Sequence, residues 1–165
     1  MKVKIAQIQA HVYEEKSKNL EELERNLKLR RALKNSKMLS ADVNAGYDPL
    51  YAEVFEKNNS AYVGKGAAIS KYTGARGKSG SNDANAEYLG ILRKAFDDAK
   101  VEYQTAELGR IDAGGGGTIA YIPAAYGMDV IDIGVPILNM HAPYEVSSKA
   151  DVYETTKCYK AFYEM

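Results

Sequence analysis

Tryptophan is absent from this 165-residue chain, cysteine occurs once, proline four times and phenylalanine three times. The single Cys158 excludes an internal disulfide framework, so the core rather than covalent staples has to hold the fold. No N-terminal run combines basic, long apolar and small-residue regions as a signal peptide does, and the cytoplasm is the expected location. No stretch approaches the roughly 20 apolar residues that span a bilayer. A surplus of one charge is missing too. The 22 basic residues balance 22 acidic ones, which leaves no overall field toward nucleic acid or an anionic membrane. Histidine is scarce, at His11 and His141.

Glycine and tyrosine are the residues in unusual supply, 14 and 13 respectively. The length fits one domain, which at this size hides roughly two-thirds of its unfolded surface. Residues 2–13, "KVKIAQIQAHVY", alternate as a strand does, with a register slip near Gln7. Asn19 and Glu22 have the spacing of a capping box, and Leu20, Leu23, Leu27 and Leu33 then predict an amphipathic helix ending near Asn35. "KMLSADV" reads as a strand leading to Asp42. Asp48 and Pro49 read as the cap and first position of a short helix. "AYVGKGAAIS" predicts a strand, "YTGARGKSGSND" a basic, glycine-rich loop, and Asn82 or Asp83 the cap of a helix carrying Ala84, Leu89, Leu92 and Phe96.

The pattern then repeats. "VEYQTAEL" is strand-like, "GRIDAGGGG" a loop, "TIAYIPAAYG" helical and "DVIDIGV" strand-like. Pro123 requires that helix either to kink or to start late enough for Pro123 to fall in its first turn. The last helix, within "ADVYETTKCYKAFYE", is expected to bury Val152, Thr156, Tyr159 and Phe162 or Tyr163. Strands and helices alternate to the end, so the expected class is α/β, a layered sheet with helices on its faces.

Three places could carry chemistry. "GARGKS" at 74–79 is similar to a phosphate loop, but Tyr72 stands where the first glycine belongs, and a basic surface loop explains it as well. "AGGGGT" at 113–118 enters a helix, where bare N–H groups favour an anion or carbonyl oxygen; a tight turn packing helix on strand needs the same glycines. Asp42 and His141 both lie where a strand gives way to a loop, the usual position of functional side chains in an open α/β sheet. A carboxylate and an imidazole can begin a zinc site, whereas each alone is an ordinary cap or polar residue. His11, with Glu14 and Glu15 just beyond, reads as a solvated edge.

From about Leu29 to Glu164, the segments "LRRALKNSKMLSADVNAGYDP", "VFEKNN", "GKGAAISKYTGARGKSGSNDANAEY", "QTAELGRIDAGGGGTIAY" and "NMHAPYEVSSKADVYET" occur in one order. Together they resemble the C-terminal part of the catalytic domain of aspartyl-aminopeptidase-like zinc aminopeptidases, relatives of vacuolar aminopeptidase I, and their bacterial branch in particular. The resemblance implies a zinc-exopeptidase-like domain over 29–165, with residues 1–28 unmatched. It also implies two zinc ions sharing a water, a glutamate base, and removal of N-terminal residues, often acidic, from peptides. By motif, Asp42 of "SAD" corresponds to a zinc ligand and His141 of "NMH" to a ligand of the other zinc. Lys65 of "GKG" matches a substrate-binding position, and Gly115, Gly116, Gly117 and Thr118 match a turn lining the active site.

The family's upstream elements, a His-x-Asp, a bridging aspartate and a Glu-Glu pair that supplies the base, are not recognisable here, and neither is its inserted oligomerisation domain. Glu14-Glu15 follows a strand as that pair does, but its flanking residues do not match. No catalytic residue is therefore assigned. The expectation is a truncated piece of a zinc aminopeptidase, whole only with further ligands, and the alternative is a non-catalytic remnant that binds peptide or assembles with a full-length relative. Apolar faces left without the upstream half predict homo-oligomerisation. Nucleotide binding is a distant third.

Overall fold

The computed structural model describes residues 15–75, 79–110 and 117–165. The strand expected at 2–13 lies outside them. Helix α1, Lys16–Lys34, starts earlier than the Asn19–Glu22 pair suggests. Glu15 is its N-cap, and its carbonyl accepts the Asn19 N–H at 3.3 Å. Lys16, Ser17 and Lys18 tolerate helical geometry, so the proposed capping box sits inside the helix. At the far end, the Ser36 hydroxyl donates to the Ala32 carbonyl at 2.7 Å.

Strands β1 (Lys37–Ala41) and β2 (Asn44–Ala45) follow. Asp48 then caps a 3-10 segment at Pro49–Val54, its carboxylate accepting from the Leu50 N–H at 2.8 Å. Of the strand expected at 61–70, only β3, Ala67–Ser70, is extended. Gly64 and Gly66 take φ of +88° and +83°, which turns the chain just before it. The expected basic loop is instead largely a hairpin of β4 (Tyr72–Ala75) and β5 (Ser79–Asp83). Lys71 pairs with Asp83 across it. The cap of the next helix is Asn85, whose side chain accepts from the Glu87 N–H at 2.9 Å. Asn82 is not available for that task, because it is buried with its amide donating to the Val130 carbonyl at 3.0 Å.

That helix, α2 (Ala86–Asp98), buries Tyr88, Leu92 and Phe96. The order continues with β6 (Tyr103–Thr105), α3 (Tyr121–Ala124), β7 (Asp129–Gly134), β8 (Pro136–Leu138), β9 (Val146–Ser147) and α4 (Lys149–Tyr163). Pro123 is the third residue of α3, where no helical N–H is required of it, so no kink is needed. Helix α4 presents a different face from the one expected. Asp151, Thr155, Cys158 and Ala161 are buried, while Val152 is 46% and Tyr163 84% exposed. Small side chains at 155, 158 and 161 let the helix sit close to the sheet, and Tyr159 and Phe162 pack on the edge of the core.

The main sheet has the order β1-β7-β3-β6. Strands β1 and β7 are parallel, as are β3 and β6, but β3 runs antiparallel to β7. On one face Ile69, Ile131 and Ile133 meet Tyr88, Leu92, Phe96 and Cys158 to form the core under α2 and α4. Because successive strand residues alternate faces, Ser40, Asp132 and Ser70, which are register partners across three strands, share the other side. All three are buried.

Candidate active site

Strand β1 ends at Ala41, and the Asp42 Oδ1 accepts the N–H of Val43 at 2.7 Å. The break is shaped by Gly134 on the neighbouring strand, where a Cβ would overlap the Asp42 carbonyl oxygen. Pairing then resumes with β2 parallel to β8, Asn44 donating to the Val135 carbonyl at 2.9 Å. Beyond β8 the chain turns sharply. Asn139 and His141 both adopt left-handed backbone, with φ of +59° and +68°, an unusual conformation for residues with a Cβ. The His141 N–H is fixed by Glu145 Oε1 at 2.7 Å. The side chains of Asp42 and His141 are exposed.

The antiparallel direction of β3 matters here. It enters the sheet at the end where β1 and β7 leave it, since Ala68 pairs with Gly134 and Ser70 with Asp132. The turn before β3, which carries exposed Lys65, therefore lies at the same end of the sheet as Asp42. Asp151, 1% exposed, holds that turn with both carboxylate oxygens: Oδ2 accepts from the Gly64 N–H at 2.6 Å and Oδ1 from the Gly66 N–H at 2.8 Å.

Thr118, at the exit of the glycine run, is tied to the same region. Its hydroxyl and that of Thr73 each donate to Asp132 Oδ2 at 3.0 Å, and the two hydroxyls are 3.2 Å apart. Burial pushes the Asp132 carboxyl above the usual carboxylate range. The hydroxyls of Ser40, Thr118 and Thr73 work against that shift, and the negative charge of Asp42 adds to it. Asp132 Oδ1, Ser40 Oγ and Asn44 Oδ1 are buried without a hydrogen bond of ordinary length and angle. Gly117 is exposed; Gly115 and Gly116 lie outside the described residues.

Asp132 and Asp151 were not singled out from the sequence. Asp132 did leave a signal, a carboxylate in the middle of the apolar strand "DVIDIGV", flanked on both sides by isoleucine. Asp151 left none, because a first-turn aspartate is ordinary at a helix start. Glu15 pairs with Lys18 at 3.2 Å on the surface, and Glu14 is outside the described residues. The middle of the "GARGKS" stretch is outside them as well, and its flanks are strands rather than a loop that cradles phosphate.

The profile of the Aminopeptidase I zinc metalloprotease (M18) family matches residues 8–163. The chain belongs to that family. It is 65% identical over 136 residues to a probable M18 family aminopeptidase 1 of Clostridium acetobutylicum, covering 82% of this chain and 29% of that protein. A Thermotoga maritima protein of the same description is 47% identical over 132 residues, with 80% and 29% covered. In three dimensions the chain resembles the crystal structure of aminopeptidase I from Clostridium acetobutylicum, with a TM-score of 0.77 and 60% identity over 88% of this chain and 32% of that one. The mixed α/β architecture is thus that of the family's solved members. The chain spans about three-tenths of the length of the curated relatives it matches.

Membership brings zinc as the family's metal. The donors at Asp42 and His141 are of a kind that zinc accepts. They do not make a site by themselves, and among the described residues no group of three or more His, Cys, Asp and Glu could hold a metal ion.

Proposed function

We propose that this chain supplies the closing part of a zinc aminopeptidase site, in which Asp42 and His141 are ligands of two different zinc ions and the other ligands and the general base come from residues beyond those described. The supporting observation is convergence. The break after β1 and the turn holding Lys65 lie at one end of the main sheet, the end from which β7 runs on into β8 and then His141, and Thr118 is tied to Asp132 two residues short of that end. When bound, zinc would polarise a peptide carbonyl and acidify a water; this chain's own contribution is to present a carboxylate at a strand break, and an imidazole and a lysine on turns tied by Glu145 and Asp151. Lys65 and the Gly115–Thr118 turn then contact the peptide, with acidic N-terminal residues as the preferred class. The cytoplasm is the proposed compartment, and no helix among the described residues is long and apolar enough to cross a membrane.

The incomplete ligand set favours a second reading, a non-catalytic remnant that binds peptide or assembles with a full-length relative. Metal content and turnover separate the two. Purified chain that binds two zinc ions and releases N-terminal aspartate or glutamate from a peptide, with both properties lost in Asp42→Ala and His141→Ala, establishes the enzyme. Chain that binds no zinc and cleaves nothing loses the claim to catalysis and leaves the remnant.

A further inference from the structure

The face of the main sheet opposite its apolar core is polar, yet closed to water. Ser40, Asp132 and Ser70 stand side by side across β1, β7 and β3, each at most 5% exposed. Asp132 Oδ2 accepts the hydroxyls of Thr73 and Thr118, both at 3.0 Å. Its Oδ1 has no hydrogen bond of ordinary length and angle, and neither has Ser40 Oγ. A buried carboxylate oxygen without a donor and a buried hydroxyl without an acceptor are each costly. Neighbouring strands lie about 4.8 Å apart, so rotation of the Ser40 hydroxyl brings the two together without moving the backbone. The Asp132 carboxyl already senses the Ser40 hydroxyl and, from just beyond β1, the charge of Asp42. Ser40 lies two residues before Asp42, on the strand whose end presents that carboxylate.

We propose that Asp132 is a positioning residue that ties the two halves of the site together, holding Thr118 through Oδ2 and Ser40 through Oδ1. One buried carboxylate then sets both the exit of the glycine run and the strand end that carries Asp42. This rests on reading Asp42 as a zinc ligand and the turn ending at Thr118 as a peptide contact. What it adds is a linkage between them: a peptide seated against Thr118 bears on the placement of Asp42, with only Asp132 and Ser40 in between. Linkage of this kind is reciprocal, so a change at Ser40 is also felt at Thr118. A polar group that merely satisfies its neighbours would change stability without carrying a disturbance from one strand to the other.

Two backbone amides read the linkage without any metal. The Val43 N–H donates to Asp42 Oδ1 at 2.7 Å, and the Ala120 N–H donates to Thr118 Oγ1 at 3.3 Å. In amide proton–nitrogen correlation spectra of the full chain, Thr118→Val is expected to shift the Val43 resonance and to speed its hydrogen exchange roughly threefold or more. Thr118→Ser, which keeps the hydroxyl, restores the parent's signal. Ser40→Ala moves Ala120 in the same way, and the double variant moves each amide no further than the distant single variant does. Circular dichroism like the parent's shows that the variants fold, and if Thr118→Val does not, Ser40→Ala read at Ala120 decides alone. A Val43 signal unmoved by Thr118→Val or moved equally by Thr118→Ser, or an Ala120 signal unmoved by Ser40→Ala, overturns the proposal. Zinc content and peptide release measured on the same proteins judge the zinc reading separately, since both amides report whether or not zinc binds.

Discussion

Asp151 accepts the backbone N–H of Gly66 at 2.8 Å across 85 positions of sequence, and its second carboxylate oxygen takes the N–H of Gly64. A side chain in the first turn of the last helix thereby sets the turn that presents Lys65. Replacing Asp151 by alanine leaves two N–H groups short of partners at a closed site, and the expected loss is about 3 kcal/mol of unfolding free energy. Asp151→Asn, which keeps one acceptor, should lose less. Urea denaturation of the three proteins decides it; an alanine variant as stable as the parent would show that the clamp contributes nothing.

Gly134→Ala should be among the most damaging single-atom additions in the chain. The new methyl would occupy the position of the Asp42 carbonyl oxygen, so β1 and β7 must separate where their pairing ends. Overpacking of this kind costs about 3 kcal/mol. A crystal structure of the variant should show Asp42 displaced, and an undisturbed Asp42 together with an unchanged melting temperature would refute the expectation.

The order of elements was legible from the sequence because hydrophobic period and glycine placement carry it. The helix carrying Leu89, Leu92 and Phe96 and the apolar strand around Asp132 follow from local pattern, whereas Pro123 left a kink or a late start open and the structure has the late start. The hairpin of β4 and β5 was hidden because Gly74, Gly80 and the serines look like loop residues, and only pairing across the turn makes them strand. The buried face of α4 was missed for a related reason: Thr155 and Cys158 are chosen for size against the sheet, and Asp151 for partners distant in sequence. Asp42 and His141 are proposed as ligands from motif alone; what the sequence did convey about them is that each follows a strand, here β1 and β8. The clamps made by Asp132 and Asp151 depend on contacts across the fold, which no local spacing encodes.

Asp132 should give the stability profile a measurable slope. Its folded carboxyl titrates above the usual carboxylate value, with burial as the main cause, so the folded protein binds this proton more tightly than the unfolded chain. The associated stabilisation is complete below the ordinary carboxylate value and is lost as pH rises through the raised one. Asp132→Asn removes that proton from the balance while still accepting from Thr73 and Thr118. Unfolding free energy measured across the acidic range should fall with rising pH more steeply in the parent than in the variant, and parallel profiles would contradict this.

Cys158 is fully buried, and burial pushes its thiol up to about 12. Thiolate is the reactive form, so native protein should resist alkylating and disulfide reagents at neutral pH. Labelling followed by mass spectrometry should proceed at the rate of unfolding and accelerate with denaturant. Rapid labelling of native chain would mean that α4 lifts from the sheet far more often than its packing suggests.

Strand β7 sits between β1 and β3, and both of its neighbours are made long before it. Among the described strands Lys37 has no partner until Asp129 exists, and Ile69, which can already pair with Thr105 of β6 on one side, waits for Ile133 on the other. During synthesis these two edges therefore have no described partner until the last fifth of the chain emerges. Folding should be slow for a chain of this size, and a holding chaperone would find its work in the interval between the appearance of β3 and that of β7.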